Sequence, residues 1–190
     1  MKIRLSIQGT APLLVHSDAL SDPLHPLAKA LKEISGKRIK TPEDHELMAR
    51  IEWEGGLYFH PTLGPYIPGV NLEKSIVEGA RITKQGKQVE RGLFVTDNEI
   101  PLLYQGPRTV EELWPDANFR DRSSVKVGQA RVMRTRPKFA AWALEADAEL
   151  DTGQLSVDQL QAIVDDAGSK VGLGDWRPRH GRFDAKVEAL

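Results

Sequence analysis

The chain has 190 residues, 40% hydrophobic and 28% charged, with a net charge of −1 and no cysteine. That size buries a real core and that composition excludes an intrinsically disordered protein. The lack of cysteine excludes a disulfide framework and a thiolate metal site, and it fits a reducing cytoplasm. With so small a net charge, any surface for a polyanion must be local.

Lys2 to Gly9 sets Ile3, Leu5 and Ile7 in alternation with Lys2, Arg4 and Ser6, the period of a half-buried strand and not the apolar run of a signal peptide. Gly9-Thr10-Ala11-Pro12 ends it. No stretch approaches the roughly 20 apolar residues that cross a bilayer, so no membrane partner is expected and the location is read as cytoplasmic.

Residues from about 11 to about 66 read as a long insertion with two helical patterns. Leu24, Leu27, Ala28 and Leu31 carry one; Thr41-Pro42-Glu43-Asp44, a cap followed by a first-turn proline and acidic residues, opens the other ahead of Leu47, Met48 and Ile51. Leu72, Ile76, Val77 and Ala80 then form one face of a helix from about Asn71 to Thr83. Lys84 to Gln88 has no apolar period and reads as a mobile loop. Gly92 to Val95 and Ile100 to Tyr104 read as short strands around an Asp97-Asn98 turn, and Thr109 to Trp114 as a helical turn.

Arg122 to Val127 and Ala130 to Thr135 flank Gly128-Gln129 and predict a hairpin, within a second insertion from about 105 to about 137. Lys138 to Leu150 reads as one long strand. Ser156 caps a helix with Leu160, Ile163, Val164 and Ala167 on one face. A glycine-rich loop and a last strand from Arg182 to Leu190 follow. With the insertions set aside, the order is strand, helix, strand, strand, helix, strand, which predicts an α+β chain with a ferredoxin-like, RRM-like βαββαβ core in a single domain over 1–190.

Tyr66-Ile67-Pro68-Gly69-Val70-Asn71-Leu72 and the helix after it resemble the "IPG-xx-L" lead-in to the first helix of the RAMP superfamily, CRISPR-associated RNA-binding proteins. The run from Gly172 through Gly174, Asp175, Trp176 and Gly181 to Phe183 resembles the glycine-rich loop of that family, although Asp175-Trp176 is not its usual filling. The resemblance is greatest to the backbone subunits that polymerise along a guide RNA. It implies single-stranded RNA or DNA as partner and a homo-oligomer or filament; for a phage-encoded member it implies the cytoplasm of a bacterial host.

The chemistry concentrates in two places. From Arg120 to Lys138 the cations Arg120, Arg122, Lys126, Arg131, Arg134, Arg136 and Lys138 stand against Asp121 alone, a local charge of +6. Such a surface attracts a polyanion with strong salt dependence. Strand parity puts Arg134 and Arg136 on one side with Val132, and Arg131 with Met133 on the other, which suits a thumb-like projection gripping a strand. The plain alternative is a solvated edge hairpin protected by its charge.

In the terminal loop, Gly172, Gly174 and Gly181 let backbone approach a ligand, Arg177, Arg179 and Arg182 offer phosphate contacts, and Trp176 or Phe183 offers a plane for a base. The alternative is a core tryptophan with the arginines paired to Asp175 and Asp184. Lys84, Lys87 and Arg91 form a third, weaker cationic group. Of the five histidines, His16 and His180 are candidates for a metal-independent endoribonuclease pair. No His-x-x-x-His, paired Asp motif, P-loop or Gly-x-Ser-x-Gly is present, so no metal and no cofactor are expected. The expected function is non-catalytic, largely sequence-independent binding of a single strand; an endoribonuclease of the same fold and an assembly protein binding an acidic partner are the alternatives.

Overall fold

The computed structural model describes residues 1–190, except for the side chain of Val127. In chain order its elements are β1 (Lys2–Gly9), β2 (Leu13–Leu14), α1 (Pro26–Ser35), α2 (Pro42–Gly56), β3 (Phe59–His60), β4 (Gly64–Pro68), α3 (Gly69–Ile82) and α4 (Gly86–Gly92). They continue with β5 (Leu93–Val95), β6 (Glu99–Pro101), α5 (Val110–Leu113), β7 (Arg120–Val127), β8 (Ala130–Phe139), β9 (Ala143–Leu150), α6 (Val157–Asp166) and β10 (Phe183–Ala189). A π-helical turn, Ala167–Val171, extends α6. The chain is therefore α+β, with helices and antiparallel sheets mixed. It divides into two compact units: Met1–Leu13 with Phe59–Gln105 and Ala140–Leu190, and Leu14–Tyr58 with Gly106–Phe139. No helix among the described residues is long and apolar enough to cross a membrane.

The first unit is built on a four-stranded sheet in the order β10-β1-β9-β5, every neighbour antiparallel. Alternation along β1 buries Ile3, Leu5 and Ile7; Leu144, Ala146, Ala148 and Leu150 of β9 share that buried face, with Val187 of β10. The apolar stripes of α3 (Leu72, Ile76, Ala80) and α6 (Leu160, Ile163, Val164) are buried with them. The opposite face carries Lys2, Arg4 and Lys186 against Glu145, Asp147, Glu149, Asp184 and Glu188 and stays in solvent.

Both sheet edges are occupied by helix side chains. The Gln161 amide of α6 donates to Ala185 O (2.9 Å) and accepts from Val187 N (2.8 Å) on β10, while Glu73 of α3 accepts from Val95 N (3.2 Å) on β5. A smaller sheet in the order β3-β4-β6 completes this unit.

The second unit packs α1 and α2 with the β7–β8 hairpin. Thr41 and Asp44 form a full capping box at the start of α2, where Pro42 takes the first turn. Trp53 is fully buried, donates through Nε1 to Phe119 O (2.8 Å) and meets Trp114 edge-on at 5.7 Å. Phe119 and Phe139 pack edge-on at 5.8 Å beneath the hairpin.

Several expectations are corrected. Lys84–Gln88 is not a mobile loop: residues 86–92 form α4, held by buried Val89 and by Gln85 N donating to Ala80 O. A helix this short has room for only one apolar anchor, which leaves no period to read. The long strand from Lys138 to Leu150 is two strands, β8 and β9, broken where buried Trp142 donates through Nε1 to Ala11 O and accepts from Gly9 N. Short strands do flank Asp97-Asn98, but they do not pair with each other: β5 pairs with β9 and β6 with β4. Asp97 instead accepts from Asp147 N, and Asn98 O from Gly69 N. Past Pro101 the expected strand is reduced to a single bridge from Leu103 to Ala143.

Candidate nucleic-acid interface

The register of β7 and β8 sorts the basic residues onto two faces. Arg122 stands opposite Thr135, Ser124 opposite Met133 and Lys126 opposite Arg131, while Asp121 stands opposite Arg136 and Ser123 opposite Arg134. One face therefore carries Arg120, Arg122, Lys126 and Arg131, and the other carries Arg134, Arg136 and Lys138.

The two faces differ in what holds their cations. Arg134 forms an ion pair with Glu52 of α2, a carboxylate only 7% exposed that also accepts from Thr135 N (3.1 Å). Arg134 thus holds the hairpin to α2 from the face opposite Arg122, Lys126 and Arg131. Arg122, Lys126 and Arg131 are exposed and have no carboxylate partner among the described residues; Arg131 reaches only Ser124 Oγ (3.5 Å). Lys126 and Arg131 face each other directly, an arrangement that costs stability unless an anion lies between them. Met133, 49% exposed, gives this face an apolar patch.

At the base of the same face, Arg120 lies over the Trp114 ring at 4.8 Å and donates through Nη2 to Pro115 O (3.4 Å); its Nε is buried with no hydrogen-bond partner. Arg120, Arg122, Thr135 and Trp114 line a cavity of about 450 Å³ with His45 and Glu46 of α2. Trp114 and His45 are residues that sequence reasoning missed. The available signal was a tryptophan followed by proline shortly before the first arginine of the basic run.

In the first unit the glycine-rich loop is tied at its neck, where Leu173 N donates to Gly181 O (2.8 Å). Gly172, Gly174 and Gly181 all have positive φ, and a side chain at Gly181 would run into the Leu173 carbonyl. Trp176 is 44% exposed and sits at φ +54, in the left-handed region that bulky residues avoid. His180 lies beside it at 5.3 Å and Arg179 over its ring at 5.8 Å.

The loop arginines have separate roles. Arg177 pairs with Glu78 of α3 (3.2 Å) and donates to Gly172 O (3.4 Å), so it braces the loop. Arg179 and Arg182 are exposed. Phe183 is 2% exposed and packs edge-on against Trp142 (6.4 Å), which overturns it as a stacking plane.

Lys84 and Lys87 are exposed at the α3–α4 junction and on α4, as is Arg91. His16 is exposed in the second unit, and His180 belongs to the first with its Nδ1 buried and without a partner. His25 caps α1 by accepting from Leu27 N, and His60 accepts from Thr62 N and Leu63 N, so both imidazoles serve local backbone. No protein-family model matches the chain, and no curated protein matches it.

Proposed function

We propose that the protein binds single-stranded nucleic acid, RNA or DNA, through the Arg120–Arg122–Lys126–Arg131 face of the hairpin, largely without regard to sequence. The carrying observation is that these four cations share one face and none has a carboxylate partner among the described residues. Successive residues on one strand face are about 6.7 Å apart, a spacing suited to following an extended phosphate backbone. Met133 and the stacked Arg120–Trp114 pair add contacts for bases.

The first unit is proposed as a ferredoxin-like, RRM-like core of the RAMP kind. The strand order β10-β1-β9-β5 supports this, with α3 between β1 and β5 and α6 between β9 and β10. So does Gly69 at the start of α3, where a side chain would strike the Asp97 carbonyl. The open sheet face does not take part in the proposed binding. An RRM sheet stacks bases on several aromatic residues, whereas this face has one, Phe94 at its β5 edge, and sets five carboxylates against three cations. Trp176, Arg179 and Arg182 form a second contact, and copies line up side by side along the strand. With both sheet edges occupied, that assembly does not proceed by strand addition.

The test is binding of labelled single-stranded RNA, single-stranded DNA and duplex by Lys126→Gln/Arg131→Gln protein beside the wild type. Single-strand binding weakened at least tenfold, in a protein that melts normally, is the expected result. Equal binding by both proteins sinks the assignment.

A further inference from the structure

The cavity at the base of the hairpin lies within the second unit, against the N-terminal half of α2, and has a volume of about 450 Å³. We infer that it takes one nucleotide unit, with the base flat against the Arg120 guanidinium and the phosphate between Arg122 and His45. The inference deepens the single-strand reading and rests on it.

Three observations converge. The Arg120 guanidinium is held with one face over Trp114, which leaves the other for a second flat group, and Arg120 lines the cavity. Its Nε is buried without a hydrogen-bond partner, so a donor of a cavity-lining side chain is left unsatisfied. Arg122 and His45 are exposed at the same cavity and neither has a carboxylate partner among the described residues, so negative charge is favoured there. Glu46 is the one carboxylate of the lining, and it disfavours a bare phosphate while offering an acceptor to an exocyclic amino group. A ligand that is both flat and anionic satisfies this set; inorganic phosphate or a neutral nucleoside satisfies half of it. The volume lies in the range of pockets that enclose small ligands.

Calorimetric titration of the full chain with AMP, adenosine and inorganic phosphate tests the pocket. AMP is expected to bind, with adenosine and phosphate each weaker by about tenfold, the worth of one stacked base or one charged contact. Arg120→Gln is expected to weaken AMP about tenfold. His45→Ala, at an exposed position that folding does not need, is expected to weaken it several-fold. Lys126→Gln/Arg131→Gln, outside the cavity, should keep AMP affinity while binding the strand more weakly. Phosphate binding as tightly as AMP, or AMP affinity unmoved in both pocket variants, overturns the inference. Strand binding that depends on Lys126 and Arg131 without any AMP binding also overturns the pocket, yet leaves the hairpin interface standing. AMP binding without strand binding does the reverse. Competition between AMP and a short single-stranded oligonucleotide assigns the site to a nucleotide within a strand, and lack of competition to a free one.

Discussion

Glu52 decides what Arg134 does. Its carboxylate is buried and holds the Arg134 guanidinium and the Thr135 amide together. Arg134→Ala leaves that carboxylate with one backbone donor, and should cost about 2 kcal/mol, less than a fully buried pair because Arg134 is 42% exposed. Urea unfolding reads the loss as a lower midpoint at unchanged slope, while Lys126→Gln/Arg131→Gln should stay within about 0.5 kcal/mol of wild type. Strand parity was legible in the sequence and separated Arg134 and Arg136 from Arg131. The partner of Arg134 was not legible, because it lies on another element far along the chain.

A second residue-scale prediction concerns the open sheet face, where Arg4 donates to Asp147 through Nε (2.8 Å) and Nη2 (3.2 Å). The hydrogen bond from Arg4, with its positive charge, holds the Asp147 carboxyl below the ordinary carboxylate range. Its folded value lies below its unfolded one, so the pair's contribution is present above the ordinary range and fades as pH falls through the lowered value. Carboxyl NMR titration should place the Asp147 midpoint below that of a free aspartate, and Arg4→Gln should return it upward.

The edges of the main sheet are closed by side chains, and that property belongs to the elements rather than to any strand alone. Gln161 satisfies one outward carbonyl and one outward amide of β10. Gln161→Ala should cost about 1–2 kcal/mol and bare that edge, so sedimentation should show concentration-dependent association absent from the wild type. Unchanged stability and no association would mean the amide is incidental.

Elements with a long apolar period were legible in the sequence: β1 by alternation, α3 and α6 by their stripes, α2 by its cap. Those fixed by distant contacts were not. α4 is set by packing beneath α3, and the break between β8 and β9 by the burial of Trp142. In the glycine-rich loop the glycines announced a tight path, but which arginine braces it depends on Glu78. Arg177→Ala should therefore lower stability, and Trp176→Ala/Arg179→Ala should lower single-strand affinity at unchanged stability. Melting curves beside binding curves separate the two.

At the scale of the whole molecule, a chain of net charge −1 gathers +6 between Arg120 and Lys138, so the rest is near −7. Such polarity draws a polyanion to one region and repels it elsewhere, including at the open sheet face. The basic run was legible as composition. Its division into a face that braces the hairpin through Arg134 and a face whose cations lack carboxylate partners among the described residues required the register. Five proposed phosphate contacts, Arg122, Lys126 and Arg131 on the hairpin with Arg179 and Arg182 on the loop, give a single-strand salt slope of about −3.5 in log K against log salt, and removing two leaves about −2.1.

The most direct measurement is that slope, for labelled single-stranded RNA and DNA, with wild type and Lys126→Gln/Arg131→Gln side by side. A slope near −3.5 that falls to about −2 in the double variant is the predicted result. No single-strand binding by the wild type, or a slope the substitutions leave untouched, contradicts the account.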